Sequence, residues 1–551
     1  MDSCKSKAPP NLDICKNVIT VIQRLNSSTI IVCGTHAENP TCWFLRNNAS
    51  QLASDNEGHE IVKDGKGISP PSPYQRPVTI TVEGNIYSAT TDTTEGSGAI
   101  QRTYGRLKNL KTEDKWLQNP RYVGSAWIKA EDSSMDEIYF FFSETEGSGA
   151  LQGDPFKSRV GRVCKVDDGA SKAAQDSWTT FLKARLVCGY PTESKYFNKI
   201  IDAFVLPADG DARKGTVYGI FSSLWNCTAI CAYAQANIDS AFKTPKLKGF
   251  TGTLPGNQRP GKCTTSTISR NVLTTIRNYP EIEESIQPVT ERPLYFIKQG
   301  NYTRVIATRV LGANHNLYPV LFLGMGNGKI HKVLHSNGKA FIISELSPFK
   351  NEAPVSSMTL DSVTGHLFVG TPLETVRLPL ANCEGYGSTC PQCVAARDPY
   401  CGWDQAAGKC VPVAEAANRN DSAVLQSVGG LNDSLCYDGP GARSLDKQAQ
   451  DLTVDSSAYL YLPCPVRSYH AVYTWSYNRK EQFNCTIRDG SCSLIYSGPP
   501  PAGEGLYQCQ ATENGLTEMV AAYNVRVSAG ATAALACTAL LLGLAAACAL
   551  I

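Results

Sequence analysis

The fifteen residues CPQCVAARDPYCGWD, Cys390 to Asp404, hold three cysteines and a tryptophan. Cys390 and Cys393 form a Cys-x-x-Cys, which can be a redox site, half of a zinc site, or two arms of a disulfide scaffold. A redox pair is expected at a helix start beside a βαβ pattern, and nothing around Cys390 reads that way. A zinc site would favour a second Cys-x-x-Cys or a histidine pair, which Cys401, Cys410 and Cys436 do not supply. Residues 383–436 carry six cysteines in 54 positions. That density points to cross-links rather than an apolar core as the source of stability, so the scaffold reading leads.

The rest of the chain agrees with an oxidising compartment. Twenty-one cysteines are spread along 551 residues, more than a protein with reduced thiols usually carries. Asn-x-Ser/Thr acceptors occur at Asn26, Asn48, Asn226, Asn301, Asn420, Asn432 and Asn484. Lys plus Arg is 52 and Asp plus Glu is 50, so no bulk charge favours nucleic acid as a partner. None of the seven histidines makes a His-Glu-x-x-His. Gly324-Met-Gly-Asn-Gly-Lys329 leads into a strand and not a helix, so it reads as a hairpin turn rather than a phosphate loop. No enzyme, cofactor or metal is expected.

The ends read differently. Residues 1–20 show no apolar run of signal-peptide length. Residues 531–551 form an uncharged apolar tail, preceded by the small residues Ser528, Ala529 and Gly530. Small residues before such a tail form a GPI-attachment signal, with 529–551 removed on maturation. A tail-inserted helix with no cytoplasmic domain is the alternative. Because GPI attachment requires passage into the ER, the natural N-terminus is expected to lie upstream of Met1.

Up to about residue 380, short strands alternate with turns. Three or four apolar residues, often followed by Gly or Thr, recur at Ile30–Thr35, Ile86–Tyr87, Ile138–Phe142, Val217–Phe221, Leu321–Gly324 and Leu367–Thr371. The intervals are 56, 52, 79, 104 and 46 residues, and the two long ones leave room for insertions. Thr94–Ile100 is echoed at Thr145–Leu151, 51 residues on. A strand-built repeat near 50 residues is what a β-propeller blade looks like; two packed sandwiches are the duller alternative. Further on, Cys464, Trp475 and Tyr507-Gln-Cys509 have the spacing of an immunoglobulin sandwich.

Cys383, Cys390-x-x-Cys393, Asp398-Pro-Tyr-Cys401-Gly-Trp-Asp404 and Cys410 together resemble the PSI module of semaphorins and plexins. Cys33-Gly-Thr-His-Ala-Glu-Asn-Pro-Thr-Cys42 and Trp178–Cys188 are similar to landmarks of the semaphorin propeller. The resemblance implies an all-β chain. A seven-bladed propeller over 1–381, lacking the start of its first blade, precedes a PSI module over 382–437. An immunoglobulin-like domain over 446–528 follows, and the whole looks like the class 7, GPI-anchored branch of the family. It further implies the disulfides Cys4–Cys15, Cys33–Cys42, Cys164–Cys263, Cys188–Cys231, Cys383–Cys401, Cys390–Cys436, Cys393–Cys410 and Cys464–Cys509, with Cys485–Cys492 as a local loop. Cys227 is left over, either as a thiol or as a competitor for Cys188.

Functionally, the resemblance implies a homodimeric cell-surface ligand for a plexin, C-type by preference. Its roles would be axon guidance, migration, adhesion and immune regulation. A plexin-like receptor or adhesion fragment is the alternative. Tyr122, Glu131, Asp132 and Asp136 are the expected receptor contacts, since exposed acids steer a basic partner. Class 7 semaphorins carry Arg-Gly-Asp for integrin β1 just after a propeller cysteine; here that place reads Lys165-Val166-Asp167. Asp167 keeps the metal-seeking acid, but Lys lacks the fork of Arg and Val lacks the backbone freedom of Gly. Integrin binding is therefore expected to be weak or absent.

Overall fold

The computed structural model describes residues 12–528 apart from internal stretches, the longest of them 437–448. Each recurring apolar stretch noted above is the second strand of an antiparallel sheet. Among the described residues six such sheets follow in chain order, within 19–64, 78–111, 121–185, 199–297, 302–346 and 357–379. The last has three strands and the others four. The first strand of each sheet lies against the first strand of the next, the arrangement of blades around an axis. The 104-residue interval is explained by an insertion between the third and fourth strands of the fourth sheet, carrying α1 (Gln235–Lys243) and α2 (Arg270–Asn278).

Blades of this kind are buried on both faces, so their middle strands read as continuous apolar runs. In Ile138–Phe142 the side chains alternate. Ile138, Phe140 and Phe142 pack toward the second sheet, with Tyr87 and Ile100. Tyr139 and Phe141 pack toward the fourth, with Val217 and Phe221. Among the described residues six such sheets are present where the resemblance implies seven blades. The two end sheets keep apolar surface toward solvent. In the first sheet Ile22, Val32, Trp43 and Val62 form a cross-strand row, with Ile22 66% and Val62 50% exposed. In the last, Phe368 is 38% exposed.

The cysteine-rich module shares its core with the fifth and sixth sheets: Leu380, Val428, Tyr386 and Tyr400 join Val320, Phe322, Leu367 and Val369 in one cluster. Lys332 of the fifth sheet donates to Asp398 of the module and to the Leu380 carbonyl, both buried. Burial is the largest influence on that ammonium and depresses its pKa, against the opposing pull of Asp398. Cys390 does open a short helix, Cys390–Ala395, which the sequence reading did not foresee. Both of its cysteines are nonetheless bridged elsewhere, Cys390 to Cys436 and Cys393 to Cys410. The immunoglobulin-like domain has a separate core drawn from residues 452–525, in which Trp475 packs beside the Cys464–Cys509 bridge. The Tyr507 hydroxyl donates back to the Gly503 carbonyl at 2.9 Å, the tyrosine corner of such sandwiches.

Candidate functional site

The third sheet consists of β1 (Arg121–Ile128), β2 (Glu137–Thr145), β3 (Phe156–Cys164) and β4 (Leu182–Arg185). Its neighbours are antiparallel and in chain order, so the β1–β2 turn and the β3–β4 connection leave the same end. These two segments hold all the residues expected to meet a receptor or integrin except Tyr122.

Residues 129–136 form a turn built on a 3-10 helix, Ser133–Met135. Asp132 caps it, accepting from Ser134 N at 2.9 Å and Ser134 Oγ at 2.7 Å. Those bonds, the hydroxyl's first, hold its carboxyl below the usual aspartate range. Asp136 closes the turn from below. Its oxygens accept from Ala130 N at 2.8 Å, Trp127 Nε1 at 3.0 Å and Lys165 Nζ at 3.0 Å. Arg213, from the fourth sheet, donates to the Lys129 carbonyl at 2.8 Å and the Met135 carbonyl at 3.3 Å. The same guanidinium pairs with Glu137 and Asp239 at 3.2 Å each. The turn is thus anchored to two neighbouring elements while Glu131 and Asp132 stay exposed.

Two expected contacts are corrected. Tyr122 is 6% exposed, because strand alternation points it between the second and third sheets against Phe142. Burial pushes its phenol well above the ordinary tyrosine value. Asp136 is 2% exposed and is consumed by the turn it supports.

In the 165–169 segment Lys165 and Asp167 are buried as well. Asp167 is 3% exposed and accepts five hydrogen bonds. The backbone N–H groups of Thr179 and Thr180 lie at 2.8 Å, and their hydroxyls at 2.8 and 2.7 Å. Gly169 N lies at 3.0 Å. The carboxylate is thus fully engaged within the fold. Lys165 is 6% exposed and spans Asp136 and Glu83 at 3.0 Å each, joining the third sheet to the second. Burial alone would lower its pKa; the bonds to Asp136 and Glu83 outweigh that and raise it. Val166 is half-buried. Arg102, beside the stacked rings of Tyr87 and Trp178, donates to the Lys165 carbonyl at 2.9 Å and the Asp167 carbonyl at 2.7 Å.

Sequence reasoning missed Arg102, Arg162 and Arg213. Arg162 pairs with Glu137 at 2.6 Å and also reaches the Gly261 carbonyl of the insertion. A second buried network, Lys183–Glu144–Arg159–Glu281, ties the insertion to the same sheet. The only local hint was Arg159 and Arg162 standing among the small and apolar residues at the end of the strand Phe156–Cys164.

Cys33–Cys42, Cys164–Cys263, Cys188–Cys231, Cys383–Cys401 and Cys485–Cys492 are bridged, with the three pairs named above. Cys15 is disulfide-bonded, and Cys4 lies outside the described residues. Cys188 takes Cys231; Cys227 is half-buried against the same core cluster. Asn26 is exposed and Asn301 half-buried. Asn48, Asn226, Asn420 and Asn432 lie outside the described residues, as does the Asn484 side chain. Ser528 ends the last strand, and Ala529, Gly530 and the tail lie outside. Among the described residues no helix is long and apolar enough to cross a membrane.

A propeller fused to a disulfide module and followed by an immunoglobulin-like sandwich defines a modular all-β protein. Family models agree: a Sema domain matches 200–362, a plexin repeat 382–428, and a semaphorin-3/4/7A immunoglobulin-like domain 446–537. The chain is 32% identical to human Semaphorin-7A over 516 residues, covering 91% of this chain and 74% of that one. It is 33% identical to mouse Semaphorin-4C over 567 residues, covering 97% and 67%. Drosophila Semaphorin 2a superposes with a TM-score of 0.72 at 26% identity, over 96% of this chain and 88% of that one. A chain from the structure of Drosophila Plexin A in complex with Semaphorin 1b superposes at 0.64 and 27% identity, over 78% and 86%. The chain belongs to the semaphorin family. Class 7 and class 4 relatives match at like identity.

Proposed function

We propose that this chain is a cell-surface semaphorin ligand that binds a plexin ectodomain, C-type by preference, as a homodimer. It acts as a signal in guidance, migration, adhesion and immune regulation, and not as an enzyme. The observation that carries the reading is the exposed, rigidly braced turn bearing Glu131 and Asp132, in a chain whose family includes a member solved in complex with a plexin. A braced turn loses little entropy on docking, and exposed acids accelerate encounter with a basic partner. The modules are taken as 1–381, 382–437 and 446–528. Residues 529–551 act as a GPI signal, with attachment at Ser528, Ala529 or Gly530. Integrin β1 is not engaged through Asp167, because that carboxylate is buried and fully hydrogen-bonded.

The test is binding of the soluble ectodomain to a panel of plexin ectodomains, with Glu131→Lys as the variant. Saturable binding to one plexin class, slowed by the substitution, supports the reading. Binding to none of the panel overturns it. Phosphatidylinositol-specific phospholipase C should release the cell-surface protein; retention with 531–551 still attached would point to the inserted-helix alternative.

A further inference from the structure

The chain as a whole is nearly neutral, but residues 240–280 contain seven basic residues and no acid. This stretch is most of the insertion in the fourth sheet. Of the acids that flank it, Asp239 is engaged by Arg213 and Glu281 by Arg159 and Lys248, while Glu283 and Glu284 are exposed. Arg277 is satisfied by Glu113 at 2.6 Å. Lys243, Lys246, Lys262 and Arg270 are exposed and have no ion-pair partner among the described residues.

Three of the cations form one patch. Arg259 donates to the Phe242 carbonyl at 3.0 Å, which brings the 259–262 segment against the end of α1 at Lys243. Lys262 neighbours Cys263, and the Cys164–Cys263 bridge fastens this segment to β3. Lys246 lies at the patch edge, beside Glu283, whose N–H donates to the Lys246 carbonyl at 2.8 Å. Phe242 and Leu247 are buried beneath, so the cations sit on a packed support.

The composition of this face discriminates among partners. A protein interface takes its energy from a few buried aromatic or aliphatic anchors. A membrane-surface segment needs apolar side chains to enter the lipid boundary. No large apolar side chain among the described residues of 240–280 is exposed. An exposed, lysine-rich face with no apolar anchor suits a polyanion whose charges recur along a chain. Resting on the extracellular placement argued above, we propose that the Lys243–Arg259–Lys262 face binds a linear sulfated polysaccharide through its sulfate groups.

The experiment uses the full glycosylated ectodomain and heparin oligosaccharides as the probe. Wild type is compared with the Lys243→Gln, Lys246→Gln, Lys262→Gln triple variant and with a control triple at the exposed lysines Lys339, Lys350 and Lys409, which lie outside the insertion. The patch variant is expected to lose at least about tenfold in affinity, with its log–log salt slope falling by about one per cation removed, while the control keeps both. Equal losses in the two variants, or no heparin retention of wild type at physiological salt, would overturn the proposal. Plexin binding is measured on the same proteins. Loss of plexin binding with heparin retention unchanged would assign the face to a protein partner and would also overturn it. Plexin binding unchanged with heparin retention lost supports it, whatever the outcome for Glu131.

Discussion

Two charged turns leave the same end of the third sheet, and they have opposite fates. In 129–135, Glu131 and Asp132 face solvent on a turn held by Asp136 and Arg213. In 165–169, Lys165 and Asp167 are buried and consumed by internal partners. By residue type the segments are alike: each offers acids next to a lysine. The difference lies in what stands behind them. Thr179 and Thr180 present four donors to Asp167, whereas the donors near Asp132 come from its own turn. A carboxylate surrounded by fixed donors is a structural part, and one capping its own short turn is still available to a partner.

The largest test of this contrast is Asp167→Ala. It strands four buried donors of Thr179 and Thr180, so stability should fall by about 3–5 kcal/mol, read by denaturant unfolding or by failure to be secreted. Loss of integrin-dependent adhesion in this variant would then report misfolding rather than a lost contact. Unchanged stability would erase the distinction between the turns.

Lys165→Ala comes next. It leaves Asp136 buried with one partner fewer and cuts the tie to Glu83. A fully buried pair broken on one side costs about 3–5 kcal/mol; with Glu83 56% exposed, roughly 2–3 kcal/mol is expected. The melting temperature should fall, and plexin binding should weaken as a consequence, because Asp136 supports the 129–135 turn. Full plexin affinity in a destabilised Lys165→Ala would separate the turn from the receptor.

Glu131→Lys should do the reverse. Stability is unchanged, while association with plexin slows by roughly tenfold at low salt and recovers toward wild type at high salt. A salt-independent rate would take Glu131 out of the interface. The smallest effect belongs to Asp132. Because its carboxyl is held below the usual range in the folded chain, its contribution is present above the unfolded pKa and is lost as pH falls through the folded one. Turn geometry, followed by the Ser134 amide shift, should therefore persist on acidification past the point where a free aspartate protonates. Disorder at mildly acidic pH would contradict the capping bond.

Much of the architecture was legible locally. The apolar stretches at Ile30, Ile86, Ile138, Val217, Leu321 and Leu367 marked the second strand of each of the six described propeller sheets, because burial on both faces leaves a continuous run that polar loops interrupt. Cys464, Trp475 and Cys509 announced the sandwich by spacing alone. The helix at Cys390 escaped notice because six residues are too few to show a helical period.

The recognition surface behaved otherwise. The residue types in the two turns set which groups could bind a partner; only tertiary structure decided which of them remained available. Asp167 finds its donors 12 and 13 residues away, and Lys165 its acids 29 and 82 residues away. No periodicity or spacing motif along the chain signals such bonds. The alternation that sends Tyr122 inward depends on a neighbouring sheet that the strand's own sequence does not mention. Spacing and composition determine the modules and their order, because those signals lie within tens of residues. Exposure of a charge depends on whatever the fold brings against it.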